Sequence, residues 1–558
     1  MNTEPVAETG ADPRLRSVLL AAALGFATLI AYTPALQGGF VWDDDAHITE
    51  NPRLDSVDGL WQLWSDPRAV PHRQNYPLTF TTFWIETRLY GFNPFGYHLV
   101  NVLLHLTSAL LLWRLLLRWR IPGAFLAAAI FALHPVEVES VAWVSERKNT
   151  LSTLLYLLAF SCFPFRAPDR FASARWLGSL ALYALAILAK TVTATLPGAL
   201  LVAQWYRRGR LGIADALGTA PFFVVGLLMA LPTRGIERDY VGASGPEWDF
   251  SIIERFEIAS RAWWFYLGKI VWPFNNAFVY ERFEIAGPSL IGMGLLAAAA
   301  TLGIGLLLFR DRIGRGPFAG LAIFSGSLLP ALGFFDVYPF LYSFVADHFQ
   351  YLGSIAAITL LAAGLVRLTQ HWPFAFRQAG AALLLAGLGA LTFAHSRAFE
   401  SDETLWKATL VEQPNHWFAH NNLGAIYLET DRVAQAKPHL EAALAGRPGS
   451  PGIFENLARV HGELGDCQAA RPYIEGWIAG SPANANARLG MTLCCLTLGD
   501  TECASDEINT LYRLVPQLRS TTGPEAQAEL DGVCARARTF GTALKLPALA
   551  EIPGCAAP

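Results

Sequence analysis

The apolar run Ser17–Leu36, SVLLAAALGFATLIAYTPAL, is followed at residues 41–52 by VWDDDAHITENP. The run has about the length of one membrane-spanning helix. Arg14 and Arg16 precede it and three consecutive carboxylates, Asp43–Asp45, follow it. By the positive-inside rule this asymmetry predicts a cytoplasmic N-terminus. A charge so close to hydrocarbon is costly unless it has a partner or a function, and the simpler alternative is a solvated turn after the helix.

The composition of the chain agrees with a membrane protein. Hydrophobic residues make up 53% of the 558 residues and charged residues only 16%. That balance is unusual for a soluble enzyme of this size and typical of a polytopic membrane protein. The net charge of −4 gives no electrostatic reason to expect nucleic acid as a partner.

Apolar runs recur as far as Ala394, and arginine clusters alternate with the polar loops between them. The alternation predicts about eleven membrane spans, with the N-terminus inside and the C-terminus outside. The run from Ile121 is interrupted by Pro135 and is short for a crossing. The stretch WWFYLGKIVWPF, residues 263–274, carries Lys269 among aromatic residues and is interpreted as interfacial or re-entrant.

The remainder of the chain has a different periodicity. Prolines recur at intervals of 34 residues, at Pro414, Pro448, Pro482 and Pro516. Small residues keep the same interval at Ala436, Ala470 and Ala504. This period is typical of tetratricopeptide repeats, helix pairs that bury their apolar faces only against their neighbours. The predicted fold is therefore all-α, a polytopic membrane domain followed by an α-solenoid.

The predicted domain boundaries follow from this change. The membrane domain spans residues 1–397, with a long first outer loop at residues 37–96. The repeat domain spans residues 398–545, and residues 546–558 form a tail.

Cysteines concentrate in the repeat domain, which holds six of the seven. Their spacing lacks the paired units of a metal site. In an oxidising compartment disulfides between neighbouring helices are the favoured use, although the sequence does not fix the pairing. The pairs expected are Cys467 with Cys494 or Cys495, and Cys503 with Cys534.

Polar residues gather on the predicted outer side of the membrane domain. Carboxylates there can act as a general base, while lysine and arginine can hold an anionic phosphate. Phosphate-binding glycine loops and nucleophile elbows are missing from the sequence, so a soluble nucleotide donor has no evident cradle. The candidate residues are Asp43, Asp44, His134, Glu139, Glu146, Arg147, Lys148, Lys190 and His348.

Four stretches together resemble one family. They are FVWDDDAHITENP from residue 40, NYPLTFTTFWIETRLYGFNPFGYHLVNVLLH from residue 75, HPVEVESVAWVSERKNTLS from residue 134 and ADHFQYL from residue 346. Followed by tetratricopeptide repeats, they resemble the bacterial relatives of the transmembrane-and-tetratricopeptide O-mannosyltransferases, the TMTC group of the GT-C superfamily. The resemblance covers nearly the whole chain.

The resemblance implies an enzyme that transfers a sugar from a polyprenyl-phosphate-linked donor to Ser/Thr hydroxyls of extracytoplasmic proteins. It implies that an acidic residue of the first outer loop is the base or a metal ligand, which favours Asp44 and then Asp43. Any cofactor would be a divalent cation bound by these aspartates. Arg147, Lys148, Lys190 and His348 would neutralise the departing phosphate, and the repeats would present the acceptor.

The implied location is the bacterial inner membrane, with the repeats in the periplasm and membrane lipids as further partners. Three alternatives remain open at this stage. One is a GT-C enzyme with a lipid or glycan acceptor, and another uses a diphosphate-linked oligosaccharide donor. The third is a non-enzymatic, membrane-anchored repeat scaffold.

Overall fold

The computed structural model describes residues 12–66, 76–165, 173–236, 245–285, 287, 289–521, 524–544, 546–553 and 555. Within these ranges the regular secondary structure is helical throughout, and no strand occurs in them. The all-α prediction is confirmed. Of the predicted outer loop 37–96, residues 67–75 lie outside the described part, as do residues 1–11 of the N-terminal segment.

The chain divides into two compact units, Met1–Glu412 and Gln413–Pro558. The helices of five or more residues in the first unit are α1 Pro13–Ala31, α2 Val57–Ser65, α3 Pro77–Tyr90, α4 Pro94–Arg118, α5 Ala124–Leu133, α6 Val138–Ala142, α7 Arg147–Cys162, α8 Ala174–Ala189, α9 Leu196–Arg208, α10 Ile213–Ile236, α11 Ile252–Val271, α12 Leu290–Leu308, α13 Gly316–Leu328, α14 Tyr351–Leu368, α15 Phe374–Ser396 and α16 Asp402–Glu412.

In the described part of the chain, six helical segments are long and apolar enough to cross a membrane: those of α1, α4, α10, α12, α14 and α15. A seventh candidate is α5 together with Pro135–Ala142, a pair bent by 53° where Pro135 interrupts the helix. The protein is therefore an integral membrane protein. The predicted count of about eleven is not confirmed, because α7, α8, α9 and α13 are only 13–16 residues long.

The aromatic stretch that was expected to be interfacial or re-entrant lies largely in α11, a continuous helix of 20 residues. Ser251 and Glu254 form a capping box at its start, which satisfies backbone N–H groups of the first turn. The helix packs against α12 and α14 and buries Trp263 and Tyr266. Residues 263–271 thus belong to one unbroken helix and contain no re-entrant turn, while an interfacial position stays a prediction.

The second unit consists of paired helices: α17 Trp417–Glu429, α18 Val433–Gly446, α19 Pro451–Glu463, α20 Cys467–Gly480, α21 Ala485–Thr497, α22 Thr501–Thr521 and α23 Pro524–Ala543. The first helices of the three pairs begin at Trp417, Pro451 and Ala485, each 34 residues after the one before. The helical repeat predicted from the prolines is confirmed.

Small residues allow the helices of a pair to cross closely. A Cβ added to Gly424 would lie 2.6 Å from the side chain of Leu440. A Cβ on Gly446 would lie 2.8 Å from Trp417, and one on Gly480 would lie 2.5 Å from Pro451. The last two contacts are equivalent in neighbouring repeats. A larger side chain at any of these positions would force the helices apart.

Disulfides form in the second unit, but not between the expected partners. The bonds are Cys495–Cys503 and Cys534–Cys555, while Cys467 and Cys494 are free thiols. The pairing of Cys467 with Cys494 or Cys495, and of Cys503 with Cys534, is therefore wrong. Cys503 lies in the first turn of α22, close to Cys495 near the end of α21, so the two helices of one pair are joined.

Two segments belong to other units than the predicted domain boundaries assign them to. Helix α16 lies in the first unit, where Leu405 and Trp406 are 1% exposed. In the segment after residue 545, Leu549, Ile552 and Cys555 are buried in a cluster with residues of α21 to α23. Apolar side chains and a disulfide thus hold this segment to the repeats.

Candidate functional site

The acidic loop begins with a strained turn at Trp42. Its φ of 53° lies in the left-handed region, which a bulky residue rarely occupies. The backbone N–H of Trp42 donates to Asp402 Oδ1 at 2.7 Å, and its ring contacts Trp406 with centroids 5.2 Å apart. These contacts stabilise the turn, which is followed by a short π-helical segment, Asp45–Thr49.

Asp44 is completely buried, and both of its carboxylate oxygens accept hydrogen bonds. Oδ2 accepts from the backbone N–H of Val41 at 3.0 Å. Oδ1 accepts from the backbone N–H of Ser145 at 2.6 Å and also from the Ser145 hydroxyl. Asp44 therefore links the first outer loop to the loop that contains Glu146.

Burial raises the pKa of Asp44 to about 7, against the opposing effect of hydrogen bonds from Ser145 and Val41. The neighbouring charge of Asp43 raises it further. Asp44 is thus a carboxyl group that changes its charge near neutral pH.

Asp43 and Asp45 differ from Asp44 in their exposure. Asp43 is half-buried and Asp45 is exposed. The backbone carbonyl of Asp43 accepts from the backbone N–H of His47 at 3.0 Å and lies 2.7 Å from His47 Nδ1. Burial lowers the pKa of the Lys148 ammonium group, but the nearby Glu146 and Tyr76 raise it. The carboxylate of Asp43 is also close enough to raise the pKa of Lys148.

Glu146 is the centre of a compact ionic cluster. Its Oε1 lies 2.8 Å from Lys148 Nζ, and its Oε2 lies 2.9 Å from Lys190 Nζ. Glu146 is fully buried, whereas the side chains of Lys148 and Lys190 are 9% and 13% exposed. The two cations therefore separate the carboxylate from solvent. Burial by itself raises the pKa of Glu146, but Lys148, Lys190 and His348 hold it well below its ordinary value.

His348 extends this cluster to Glu139. Its Nδ1 lies 2.7 Å from Glu139 Oε1, and its backbone N–H donates to Glu139 Oε2 at 2.9 Å. Its Nε2 lies 4.0 Å from Glu146 Oε1. Asn149 joins the same groups, donating to Glu146 Oε2 at 2.6 Å and to the carbonyl of His348 at 2.8 Å.

The structure thus brings five candidate residues together in one cluster, and Ser145 places Asp44 beside it. The five are Glu139, Glu146, Lys148, Lys190 and His348. Their side chains come from helix ends at α6, α7, α8 and α14.

Arg147 lies apart from this cluster. It is 0% exposed and forms an ion pair with Glu86 Oε1 at 2.6 Å. It also donates to the carbonyl of Tyr97 at 2.8 Å and to Asn101 Oδ1. These bonds connect the start of α7 to α3 and α4, so Arg147 supports the packing of three helices.

His134 is also placed in a packing role. It is 1% exposed and its Nε2 lies 3.1 Å from the carbonyl of Ile270. Its Nδ1 accepts from the backbone N–H of Val136 at 3.3 Å, which caps the turn after α5. The residue stabilises the bend at Pro135 and its contact with α11.

Three residues of this region were not predicted as site residues from the sequence: Ser145, Asn149 and Glu86. Ser145 and Asn149 lie within SERKN and flank candidate residues directly, so their position was a usable signal. Glu86 has no such signal, because its partner Arg147 is 61 residues away in the chain.

No family model matches the chain. Among curated proteins it is 32% identical over 164 residues to the protein O-mannosyl-transferase F38B6.6 of Caenorhabditis elegans, covering 27% of this chain and 23% of that protein. It is 33% identical over 206 residues to the protein O-mannosyl-transferase TMTC1 of Mus musculus. This match covers 33% of this chain and 21% of the mouse protein. The human TMTC4 is 32% identical over 204 residues, covering 31% and 28%.

Part of the chain is thus similar to the TMTC protein O-mannosyltransferases. The matched part spans only 21–28% of the length of these three proteins. The similarity agrees with the resemblance seen in the four sequence stretches.

Proposed function

We propose that the chain is a membrane glycosyltransferase that moves a sugar from a polyprenyl-phosphate-linked donor to Ser/Thr hydroxyls of extracytoplasmic proteins. The observation that carries the proposal is the cluster of Lys148, Lys190 and His348 around Glu146, anchored next to the acidic loop by Ser145 and Asp44. Relatives named as protein O-mannosyl-transferases support the class of reaction.

The lysines suit the donor phosphate. When the bond between the sugar and the phosphate breaks, negative charge builds on the phosphate oxygens and needs cations already in place. Lys148 and Lys190 are held by Glu146 yet remain partly exposed, so they can donate to an incoming phosphate without leaving their partner. The imidazolium form of His348 can add a further donor through Nε2, because both ring nitrogens then carry a proton and Nδ1 donates to Glu139.

Asp43 is the group proposed as the general base. In the reaction, the acceptor oxygen attacks the anomeric carbon, its proton passes to the carboxylate, and the polyprenyl phosphate leaves with the bonding electrons. A base must reach the substrate, and half-buried Asp43 is better exposed for this than Asp44, whose oxygens are all engaged. Asp44 then acts as a positioning residue. Any divalent cation at this loop would be held by Asp43, because both carboxylate oxygens of Asp44 already accept hydrogen bonds.

The repeat unit is proposed to present the acceptor protein. Stacked helix pairs create an extended surface of the type that repeat proteins use for binding. The bacterial inner membrane, with the repeats in the periplasm, is the proposed location.

The test is transfer of radiolabelled sugar from a polyprenyl-phosphate donor by the purified chain in nanodiscs. Asp43→Asn removes the charge and keeps the shape, and a positioned base contributes about 10²–10⁴-fold in rate. Asp45→Asn is the matched control, since Asp45 is the adjacent, exposed carboxylate. We expect Asp43→Asn to lose about that factor and Asp45→Asn to keep wild-type activity.

Three outcomes distinguish the alternatives. Wild-type activity in Asp43→Asn would remove Asp43 from the mechanism. The wild-type chain could fail to transfer sugar from monophosphate-linked donors to proteins and yet use a diphosphate-linked donor or a lipid acceptor. That result would favour the GT-C enzyme with a diphosphate-linked donor or the one with a lipid acceptor. Absence of any transfer with normal folding would favour the scaffold.

A further inference from the structure

A polar cavity lies far from the acidic loop, where four helices of the first unit end or begin. It has a volume of about 450 Å³. Its lining includes Arg118 at the end of α4, Ser161 near the end of α7, Arg175 in the first turn of α8, and Arg207 in the last turn of α9.

The cavity and the candidate active site lie at opposite ends of the same helices. Helix α4 runs from Asn101, which contacts Arg147, to Arg118 in the cavity. Those 17 residues of helix span about 26 Å at 1.5 Å per residue. Helix α7 begins at Arg147 and reaches the cavity at Ser161. Since a bilayer core is about 30 Å thick, the cavity lies at the opposite membrane surface from the acidic loop.

The chemistry of the cavity walls is cationic and aromatic. Four arginines, Arg118, Arg120, Arg175 and Arg207, line it, and the lining residues of the described chain include no carboxylate. The nearby acid Asp215 is buried and pairs with Arg208, which does not line the cavity. The planar guanidinium group donates two parallel hydrogen bonds to a phosphate or a carboxylate group. These are therefore the two common anionic groups that best match the arginines of the cavity.

The aromatic wall is built around Trp119. Its ring stacks with Tyr206, the planes lying within 16° of each other, and Arg207 lies 5.5 Å above it. Phe165 packs edge-on against the same ring, with centroids 5.0 Å apart. Tryptophan and tyrosine prefer the headgroup level of a bilayer, where one side of the ring is apolar and the other is wet.

Arg120 occupies an unusual backbone position in this wall. It follows the end of α4 with a φ of 55°, the left-handed region that favours glycine. A residue with a Cβ is strained in this conformation. The chain nevertheless carries a positive charge at this point, which agrees with a binding role for the arginine group.

We propose that this cavity binds the phosphate-bearing headgroup of an anionic phospholipid from the leaflet opposite the acidic loop. The arginines would hold the phosphates, and the Trp119 wall would contact the glycerol and the first part of the acyl chains. A lipid fits better than a soluble phosphate compound, because five of the 14 lining residues in the described chain are aromatic and the cavity lies at the headgroup level. Basic pockets at the ends of membrane helices recognise lipids of this kind.

The test measures lipid binding to the purified full-length chain by native mass spectrometry and by unfolding temperature in micelles. The probes are cardiolipin, which carries two phosphates, phosphatidylcholine, and inorganic pyrophosphate. The variant is Arg118→Gln/Arg175→Gln. Its matched control is Arg367→Gln/Arg377→Gln, which removes two arginines near the end of α14 and the start of α15, outside the cavity.

We expect cardiolipin, and not phosphatidylcholine, to bind and to raise the unfolding temperature. The cavity variant should bind cardiolipin roughly 25-fold more weakly, about fivefold for each arginine removed, whereas the control should keep wild-type affinity. Equal loss in both variants would show diffuse charge attraction and overturn the proposal. So would a pyrophosphate effect that matches the cardiolipin effect, or no preference for cardiolipin. None of these readouts depends on sugar transfer, so they are independent of the proposed enzyme activity.

Discussion

Ser145 donates both its backbone N–H and its hydroxyl to one oxygen of Asp44, although the two residues are 101 positions apart. Through this pair the acidic loop and the loop of Glu146 become one structure. Since Asp44 is completely buried, the geometry makes it an organising residue for the site. A carboxylate in such a place depends strongly on its donors.

The first prediction concerns the pH dependence of stability. The folded-state pKa of Asp44 is about 7, above its ordinary 3.8. Between these values the folded protein binds more protons than the unfolded chain, so this group lowers stability as the pH rises from about 4 to about 7. Asp44→Asn should flatten that decline, and Ser145→Ala should extend it to higher pH, because the loss of a donor to the carboxylate raises the pKa of Asp44 further.

The measurement is the unfolding temperature in micelles at several pH values across this window. Asp45→Asn is the control, because that carboxylate is exposed. Identical pH slopes in the wild type, Asp44→Asn and Ser145→Ala would show that Asp44 does not titrate there.

The second prediction concerns the charge on Lys190. Burial lowers its pKa to about 8, although Glu146 acts in the opposite direction. Lys190 therefore carries its charge below about pH 8 and loses it above that value. If it binds the donor phosphate, kcat/KM should fall as the pH rises through about 8, because kcat/KM reports the free enzyme.

Lys190→Arg should shift this fall to higher pH, since a guanidinium group stays charged. Lys407→Arg is a suitable control, as Lys407 pairs with Glu403 and its side chain is 52% exposed. An unchanged profile in Lys190→Arg would assign the fall to another group.

The site also shows which parts of this arrangement the sequence predicts. Glu146, Lys148 and Lys190 were candidates because they lie in polar loops on one predicted side, and helices of similar length return the chain to that side. The alternation of apolar spans and arginine clusters is thus enough to predict that these loops lie on the same side of the membrane. Partner choice is different, because it depends on side-chain direction. Arg147 lies between Glu146 and Lys148 in sequence, yet it faces Glu86 on another helix.

The same limit applies to the repeats. The period of 34 residues determined the helix pairs, since each pair must bury its apolar face against the next. The disulfide partners depend instead on where each cysteine lies around its helix. Cys494 and Cys495 are adjacent in sequence, but their side chains point in different directions, and only Cys495 reaches Cys503.

The third prediction separates Arg147 from the phosphate cluster. Arg147→Ala would leave the buried carboxylate of Glu86 without its ion-pair partner, which typically costs about 3–5 kcal/mol. We expect a clearly lower unfolding temperature with little change in the KM for the donor. Lys148→Ala should raise the KM for the donor and cost less stability, because Glu146 keeps its ion pair with Lys190. A raised KM and normal stability in Arg147→Ala would instead indicate phosphate binding.

The fourth prediction concerns the cysteines of the second unit. Mass spectrometry after alkylation without reductant should find Cys467 and Cys494 labelled, with Cys495 linked to Cys503 and Cys534 to Cys555. Cys534→Ser/Cys555→Ser should cost roughly 2–5 kcal/mol of stability. Cys467→Ser should have a much smaller effect, since that thiol is half-buried and forms no bridge. A Cys467–Cys494 bond would contradict the pairing.

The fifth prediction uses two truncations to separate the membrane site from acceptor presentation. Ending the chain after Glu412 removes the second unit and leaves α16 in place. Ending it after Arg397 also removes Asp402, which accepts from the backbone N–H of Trp42 at 2.7 Å, and buried Trp406. Trp406 contacts the rings of Trp42 and Phe278, so its loss should loosen the turn before Asp43.

We therefore expect the longer truncation product to keep transfer to a short Ser/Thr peptide but to lose most transfer to a whole protein. The shorter product should lose both, with a lower unfolding temperature. The assay is sugar transfer to each acceptor, compared at equal amounts of folded protein. Full activity of the longer product on protein acceptors would show that the repeats do not present the substrate. Equal peptide transfer by both products would show that α16 does not hold the Trp42 turn in its active form.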